Sequence, residues 1–351
     1  MKIGVKLPNS GPFATAEKIR RTAVECDRLG YDSLWVHDHL HRTVADAKAH
    51  FVAGSPKAWE TWEGPIEPNV FESVTTLFYV AGCTSNIQLG TSVVVAPLRN
   101  PMWLAKYMAC LDHFTGGRAI LGIGSGGGPY FQKELDAMGS PELGPPRGRV
   151  VDEWVAIMRS AWSDPVVDYE GEFLQIKGAE VYPKPLQERM PIWYGGNGRR
   201  VWERIARSLD GWLPMFKSPR DLRHDADLIM EQAVEFGRDP SEITLASEHW
   251  MAIDDDEAAA IKRVNDTHKG MMAFTESFQT QDLKLIADRE QVNLVGAPET
   301  ILDLLTQYQE VGVEHILLRI VADDFEQMID QLAMFKEQVK DKLSDKAITS
   351  A

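Results

Sequence analysis

The sequence predicts an α/β fold: a (β/α)8 TIM barrel with insertions after strands 2 and 4 and near strand 7. Three observations predict it. Short β-rich runs that end in Gly, Pro, Asn or Asp alternate with longer segments of helical period. The number of such pairs approaches eight, the count that closes a barrel. The first strand runs into Leu7-Pro8-Asn9-Ser10-Gly11-Pro12, which lacks the glycine-rich nucleotide loop that an open doubly wound sheet places there.

The strands are expected, in order, at residues 2–7, 33–36, 87–96, 118–123, 191–194, 211–214, 243–252 and 315–320. Helices are expected at 15–29, 100–114, 149–162, 200–208, 221–236, 257–274, 298–311 and 325–342, where apolar residues recur at three-and-four spacing. Three stretches exceed the short loops of a minimal barrel. Residues 41–70 hold Phe51, Trp59 and Trp62 among Gly and Pro, aromatics that could cover a bound ring or pack on the barrel rim. Residues 164–190 contain two β-rich runs around Glu170-Gly171, a hairpin, with Pro183 and Pro185 guiding the return. The third, 267–292, is ambiguous in pattern. One domain over 1–343 is expected, with 344–351 as a C-terminal tail.

An excess of 52 acidic over 37 basic residues gives a formal charge of -15. Such a field repels nucleic acid and anionic membrane surfaces and leaves a small molecule as the expected partner. Cys26, Cys83 and Cys110 are odd in number, far apart and set in apolar helical patterns, so they read as reduced core residues. No apolar run approaches a membrane span, and the N-terminus enters a strand without the layout of a signal peptide, so the expected compartment is the cytoplasm.

In a barrel of this kind, function belongs where the strands end. Ile87 to Pro101 reads as a buried strand running into an unusual turn, and Thr91 and Ser92 place hydroxyls where a core would prefer hydrocarbon. After the second strand comes His37-Asp38-His39-Leu40-His41. The three histidines share one face if the strand continues, a spacing that suits the metal of a hydrolase, but such a site needs further ligands that Tyr194 and Pro214 do not supply. Asp38 and His39 also suit proton transfer beside a ligand, while a capping Asp38 and a rim-packed His39 fit the local sequence equally well. The run Gly122 to Gly128 allows a flat ligand or a phosphate to approach the backbone. Gly195-Gly196-Asn197-Gly198-Arg199-Arg200 follows a strand, opens a helix and carries two cations, a combination suited to phosphate.

Taken with Gly30-Tyr31-Asp32-Ser33-Leu34-Trp35-Val36, Ser85 to Thr91, Arg99-Asn100-Pro101, Gly116-Gly117-Arg118 and Asp210-Gly211-Trp212, these segments make the chain resemble the bacterial luciferase-like superfamily of flavin and deazaflavin oxidoreductases. Glu170 to Phe173, Pro183-Lys184-Pro185 and Val295 to Pro298 extend the resemblance, so that it covers nearly the whole chain. It implies a tricyclic ring lying across the C-terminal mouth against Thr91, Ser92 and Val93, often through a non-prolyl cis peptide at the position of Ser92-Val93. It also implies a cofactor phosphate at Gly195 to Arg200, Ser125 and Gly126 bordering the ring, His39 and Asp38 near it in a catalytic role, and a homodimer. The cofactor so implied is coenzyme F420, moving a hydride to or from a small organic substrate; the alternative is reduced FMN in a monooxygenase. Gly127 stands where deazaflavin sugar-phosphate dehydrogenases of the superfamily place a catalytic glutamate, which argues against that substrate. Gly198 stands where flavin monooxygenases commonly place serine. Trp59, Trp62, Tyr130, Met215 and Trp250 suggest an apolar, ring-tolerant substrate pocket.

Overall fold

The computed structural model describes residues 1–11, 13–40, 69–265 and 292–343. Eight parallel strands close on one another: β1 (Lys2–Lys6), β2 (Ser33–Val36), β3 (Gln88–Thr91), β4 (Ala119–Gly124), β5 (Ile192–Gly195), β6 (Gly211–Leu213), β7 (Thr244–Ile253) and β8 (His315–Ile320). β6 pairs with β7, β7 with β8 and β8 with β1, so no edge of the barrel is left open. The expected barrel is therefore present.

Helices wrap the strands: α1 (Ala16–Leu29), α2 (Ser73–Ala81), α3 (Pro101–Thr115), α4 (Gly128–Met138), α5 (Arg147–Ser163), α6 (Arg199–Ser208), α7 (Pro219–Glu235), α8 (Pro298–Glu310) and α9 (Phe325–Phe335). Two of these, α2 and α4, are absent from the sequence reading. The α2 segment is Ser-Val-Thr-Thr-Leu-Phe-Tyr-Val-Ala, rich in β-branched residues that lower helix propensity. It forms because Glu72 caps it, accepting from the amides of Val74 and Thr75, and because Val74, Leu77 and Val80 are buried against the barrel. α4 begins inside a glycine run that resembles a turn and declares itself only through its later apolar face. The hairpin of the second insertion pairs Val167–Glu170 with Gln175–Ala179. The first insertion, with Phe51, Trp59 and Trp62, lies almost wholly outside the described residues, as do most of the third and the C-terminal tail.

Inside the barrel, Trp35 stacks on Trp193 with ring centroids 5.2 Å apart, and Ile120, Leu213, Ala246 and Leu317 fill the space around them. The barrel centre is thus a dry plug, and chemistry can occur only above or below it. The lower end has a cavity of about 830 Å³ among the strand starts, lined by Lys2, Gln88, Trp193 and His315 among others. His315 lies edge-on to both tryptophans and 2.7 Å from Ser33 Oγ, which accepts the Trp35 indole N–H.

Burial holds two histidines neutral in the native protein: His315 is pushed down to about 3, with Lys2 and the N-terminus adding to the effect, and His249 to about 4. In the unfolded chain both take protons near 6.5. Their contribution to stability is therefore complete above that value and is lost as pH falls toward 4 and then 3, on the order of 3 kcal/mol or more for each. Urea unfolding between pH 7.5 and 4.5 should show stability falling with pH, and His249→Phe should flatten that dependence by about one proton. An unchanged slope in the variant contradicts this account.

Candidate active site

Because every barrel strand is parallel, all eight carboxyl ends gather at one mouth. β3 does not reach it smoothly. Between the pairs Gly90–Ile120 and Val94–Ile123, β3 advances one residue more than β4, so the chain bulges at Ser92 and Val93. The Ser92-Val93 peptide is cis. Neighbouring glycines make room for this bulge. A Cβ on Gly122 would stand 1.8 Å from the carbonyl oxygen of Thr91, and one on Gly124 would stand 2.7 Å from the Val93 side chain. At these two positions glycine serves the bulge.

The hydroxyl of Thr91, expected to meet the cofactor, is already engaged: it donates to the Gly122 carbonyl at 2.7 Å and accepts from the Gly122 amide at 3.0 Å. It substitutes for ladder bonds lost at the bulge. Ser92 differs, for its Oγ is buried and has no hydrogen-bond partner among the described residues. Val93 packs onto the apolar plug. The bulge thus presents a backbone surface, an apolar side chain and one unanswered hydroxyl.

At the end of β2, His39 and Asp38 part company. Asp38 is buried and accepts from Ser73 Oγ at 3.0 Å, from the Val95 amide at 3.1 Å and from the Arg99 guanidinium. Burial raises its pKa, while Arg99 and these hydrogen bonds oppose the rise. Its place is structural, tying β2 to the far side of the bulge and to α2. His39 is a quarter exposed, and its Nδ1 lies 3.2 Å from Oε1 of the fully buried Glu134, which also accepts from the Leu40 amide at 2.7 Å. A carboxylate facing Nδ1 accepts a hydrogen bond from its N–H, the tautomer in which Nε2 carries the lone pair. Glu134 comes from α4 and was not foreseen, although it is a charge set between the buried Phe131 and Leu135.

Gly196, Asn197 and Gly198 join Gly195 at the end of β5 to α6, whose first residues are Arg199 and Arg200. Gly196 and Gly198 have φ of 124° and 103°, so this turn requires glycine. Asn197 Oδ1 is buried without a partner among the described residues. Arg200 lines a groove of about 720 Å³ with Arg149, Arg204 and Arg207. The last three are paired with Glu172, Asp152 and Glu203, whereas Arg199 and Arg200 have no carboxylate partner among the described residues. Amide groups, a helix N-terminus and two uncommitted cations suit a phosphate.

Ser125 and Gly126 sit between β4 and α4, and Gly126 has φ of 71°. Met215, 41% exposed, follows β6 and bridges to Glu248, and Phe216 beside it holds a left-handed φ of 54°. Trp250 is buried on β7. The side chain of Tyr130 lies outside the described residues, as does His41. Among the described residues no three His, Cys, Asp or Glu side chains gather to hold a metal.

A buried charge cluster stands at the floor of the mouth. Lys6 donates to both Glu248 oxygens at 3.1 and 3.2 Å and to the Ser92 carbonyl at 3.2 Å. Arg319 donates to Glu248 Oε1 from Nε at 2.9 Å. Burial alone would raise the pKa of Glu248, but the two cations hold it below the usual range.

Residues 1–315 match the family described as luciferase-like monooxygenase. The chain belongs to this family. As a luciferase-like protein it is 26% identical to an F420-dependent glucose-6-phosphate dehydrogenase of Kineococcus radiotolerans, over 95% of both chains. Its fold is similar to that of the monooxygenase RslO1 from Streptomyces bottropensis, with a TM-score of 0.77 at 21% identity over 97% of this chain and 99% of the other. It is also similar to the oxygenating constituent of 3,6-diketocamphane monooxygenase of Pseudomonas putida in complex with FMN, with a TM-score of 0.69 at 19% identity over 97% and 98% of the two chains. The family is one of oxidoreductases and includes F420-dependent relatives. Among the described residues of this luciferase-like chain, no helix is long and apolar enough to cross a membrane.

Proposed function

We propose that this luciferase-like oxidoreductase uses coenzyme F420 to move a hydride to or from a small organic substrate. The carrying observation is the His39–Glu134 pair, an imidazole at the end of β2 fixed by a buried carboxylate. In a carbonyl–alcohol couple such a partner balances the step, because the oxygen gains or loses a proton as the carbon gains or loses the hydride. The residues fit the group: Ser92 Oγ is buried and unanswered, and Arg199 and Arg200 stand uncommitted at the start of α6. When bound, F420 supplies the hydride chemistry. Ser92 and Val93 would support its ring, Ser125 and Gly126 would border it, and Gly195 to Arg200 would hold its phosphate. His39 would exchange the proton through Nε2, and Asp38 would position the bulge through the Val95 amide and Arg99.

Met215 and Trp250 would line the substrate side. A second copy of the chain is the natural cover for α3, where Trp103, Tyr107 and Phe114 are 61%, 43% and 71% exposed. Cytoplasmic residence accords with three free thiols. Separate titrations of the protein with F420 and FMN test the cofactor. F420 should bind at least about tenfold tighter, ~1.4 kcal/mol. Tighter binding of FMN would transfer the reading to monooxygenation.

A further inference from the structure

The floor of the mouth holds more positive charge than its own carboxylate balances. Lys6 and Arg319 share the single carboxylate of Glu248, and the three side chains are 6%, 28% and 1% exposed. Arg319 is the member that reaches solvent. It lies near the carboxyl end of β8, in register with Trp250, and its partner Glu248 is joined through Lys6 to the carbonyl of Ser92. The guanidinium spends Nε and one Nη on Glu248 Oε1, at 2.9 and 2.8 Å. A guanidinium carries five N–H groups in a planar fork, so its second edge, made by both Nη atoms, has no partner among the described residues. That edge has the geometry of a bidentate carboxylate site, and the surrounding low dielectric strengthens whatever anion it meets. Glu248 keeps the fork from rotating.

We propose that the outer edge of Arg319 binds a carboxylate of the substrate, which makes the substrate a small organic acid whose reacting carbon lies between Arg319 and the bulge. The proposal rests on the mouth being the redox site. It accounts for a cation that the fold does not need: Lys6 alone would neutralise Glu248.

The test is a titration of the full chain, with and without F420, using benzoate and its neutral analogue benzamide as probes and tryptophan fluorescence as the readout. Benzoate should saturate the wild type, and benzamide should bind at least about tenfold more weakly. Arg319→Met should lose about tenfold or more of benzoate affinity, while Arg319→Lys, which keeps the charge without the fork, should fall between them. F420 affinity should be the same in all three. Equal affinity for the two probes, no saturation by benzoate, or wild-type benzoate binding by Arg319→Met overturns the proposal. Should Arg319→Met fail to fold, Arg319→Lys decides, since wild-type benzoate affinity in it removes the fork from the argument. Benzoate binding in a protein that does not bind F420 would sink the redox reading and leave the anion site standing. The reverse result sinks the anion site alone.

Discussion

Replacing His39 with alanine is expected to lower turnover by about 100- to 10,000-fold, the range for a lost general acid or base, while F420 affinity stays within about threefold. The separation follows from geometry. His39 contacts Glu134 and the open mouth, whereas the groups suited to bind the cofactor phosphate lie on the β5–α6 turn. Glu134→Gln should show an intermediate loss, because an amide can offer its own N–H to Nδ1 and so favour the other tautomer. Urea midpoints and F420 affinity distinguish this from simple misfolding: both should stay near wild-type values in His39→Ala and Glu134→Gln while turnover falls. Unchanged turnover in His39→Ala removes the imidazole from the mechanism.

The second large effect is on stability. Glu248→Ala leaves Lys6 and Arg319 facing each other at the top of a dry plug with no carboxylate between them. Breaking a buried ion cluster in this way costs on the order of 3–5 kcal/mol, a large fraction of the stability of an ordinary domain. Removing all three charges together, as Lys6→Met, Glu248→Leu and Arg319→Met, should recover most of that loss, because apolar groups of similar volume need no solvation. Urea midpoints of the wild type, Glu248→Ala and the triple variant measure both effects. A Glu248→Ala protein as stable as the wild type would mean that water reaches and screens the cluster.

Much of the fold is legible in the sequence because parallel strands buried on both faces write themselves as β-branched runs, and their helices as three-and-four stripes. The two helices that escape have local reasons. In α2 four β-branched residues oppose the helix that burial and the Glu72 cap enforce, and α4 opens on Gly-Pro. The proposed site is signalled at β3, β5 and β2, where hydroxyls, glycines and histidines interrupt the pattern. What escapes is pairing across the barrel. Glu134 reads locally as a stray charge on an apolar helix face, and Lys6, Glu248 and Arg319 as stray charges in apolar strands, until closure brings them together. Asp38 shows the converse, since its proximity to His39 in sequence suggested a catalytic pair and its side chain turns instead to Arg99, Ser73 and the Val95 amide.

The central claim is that a deazaflavin ring rests on the Ser92-Val93 bulge with its phosphate at the start of α6. A crystal structure of the F420 complex tests it most directly. The account predicts the ring in van der Waals contact with Val93 and within reach of His39 Nε2, and the phosphate hydrogen-bonded to the amides and guanidinium groups of residues 196–200. A ring bound away from the bulge, or a phosphate held by other residues, would contradict it.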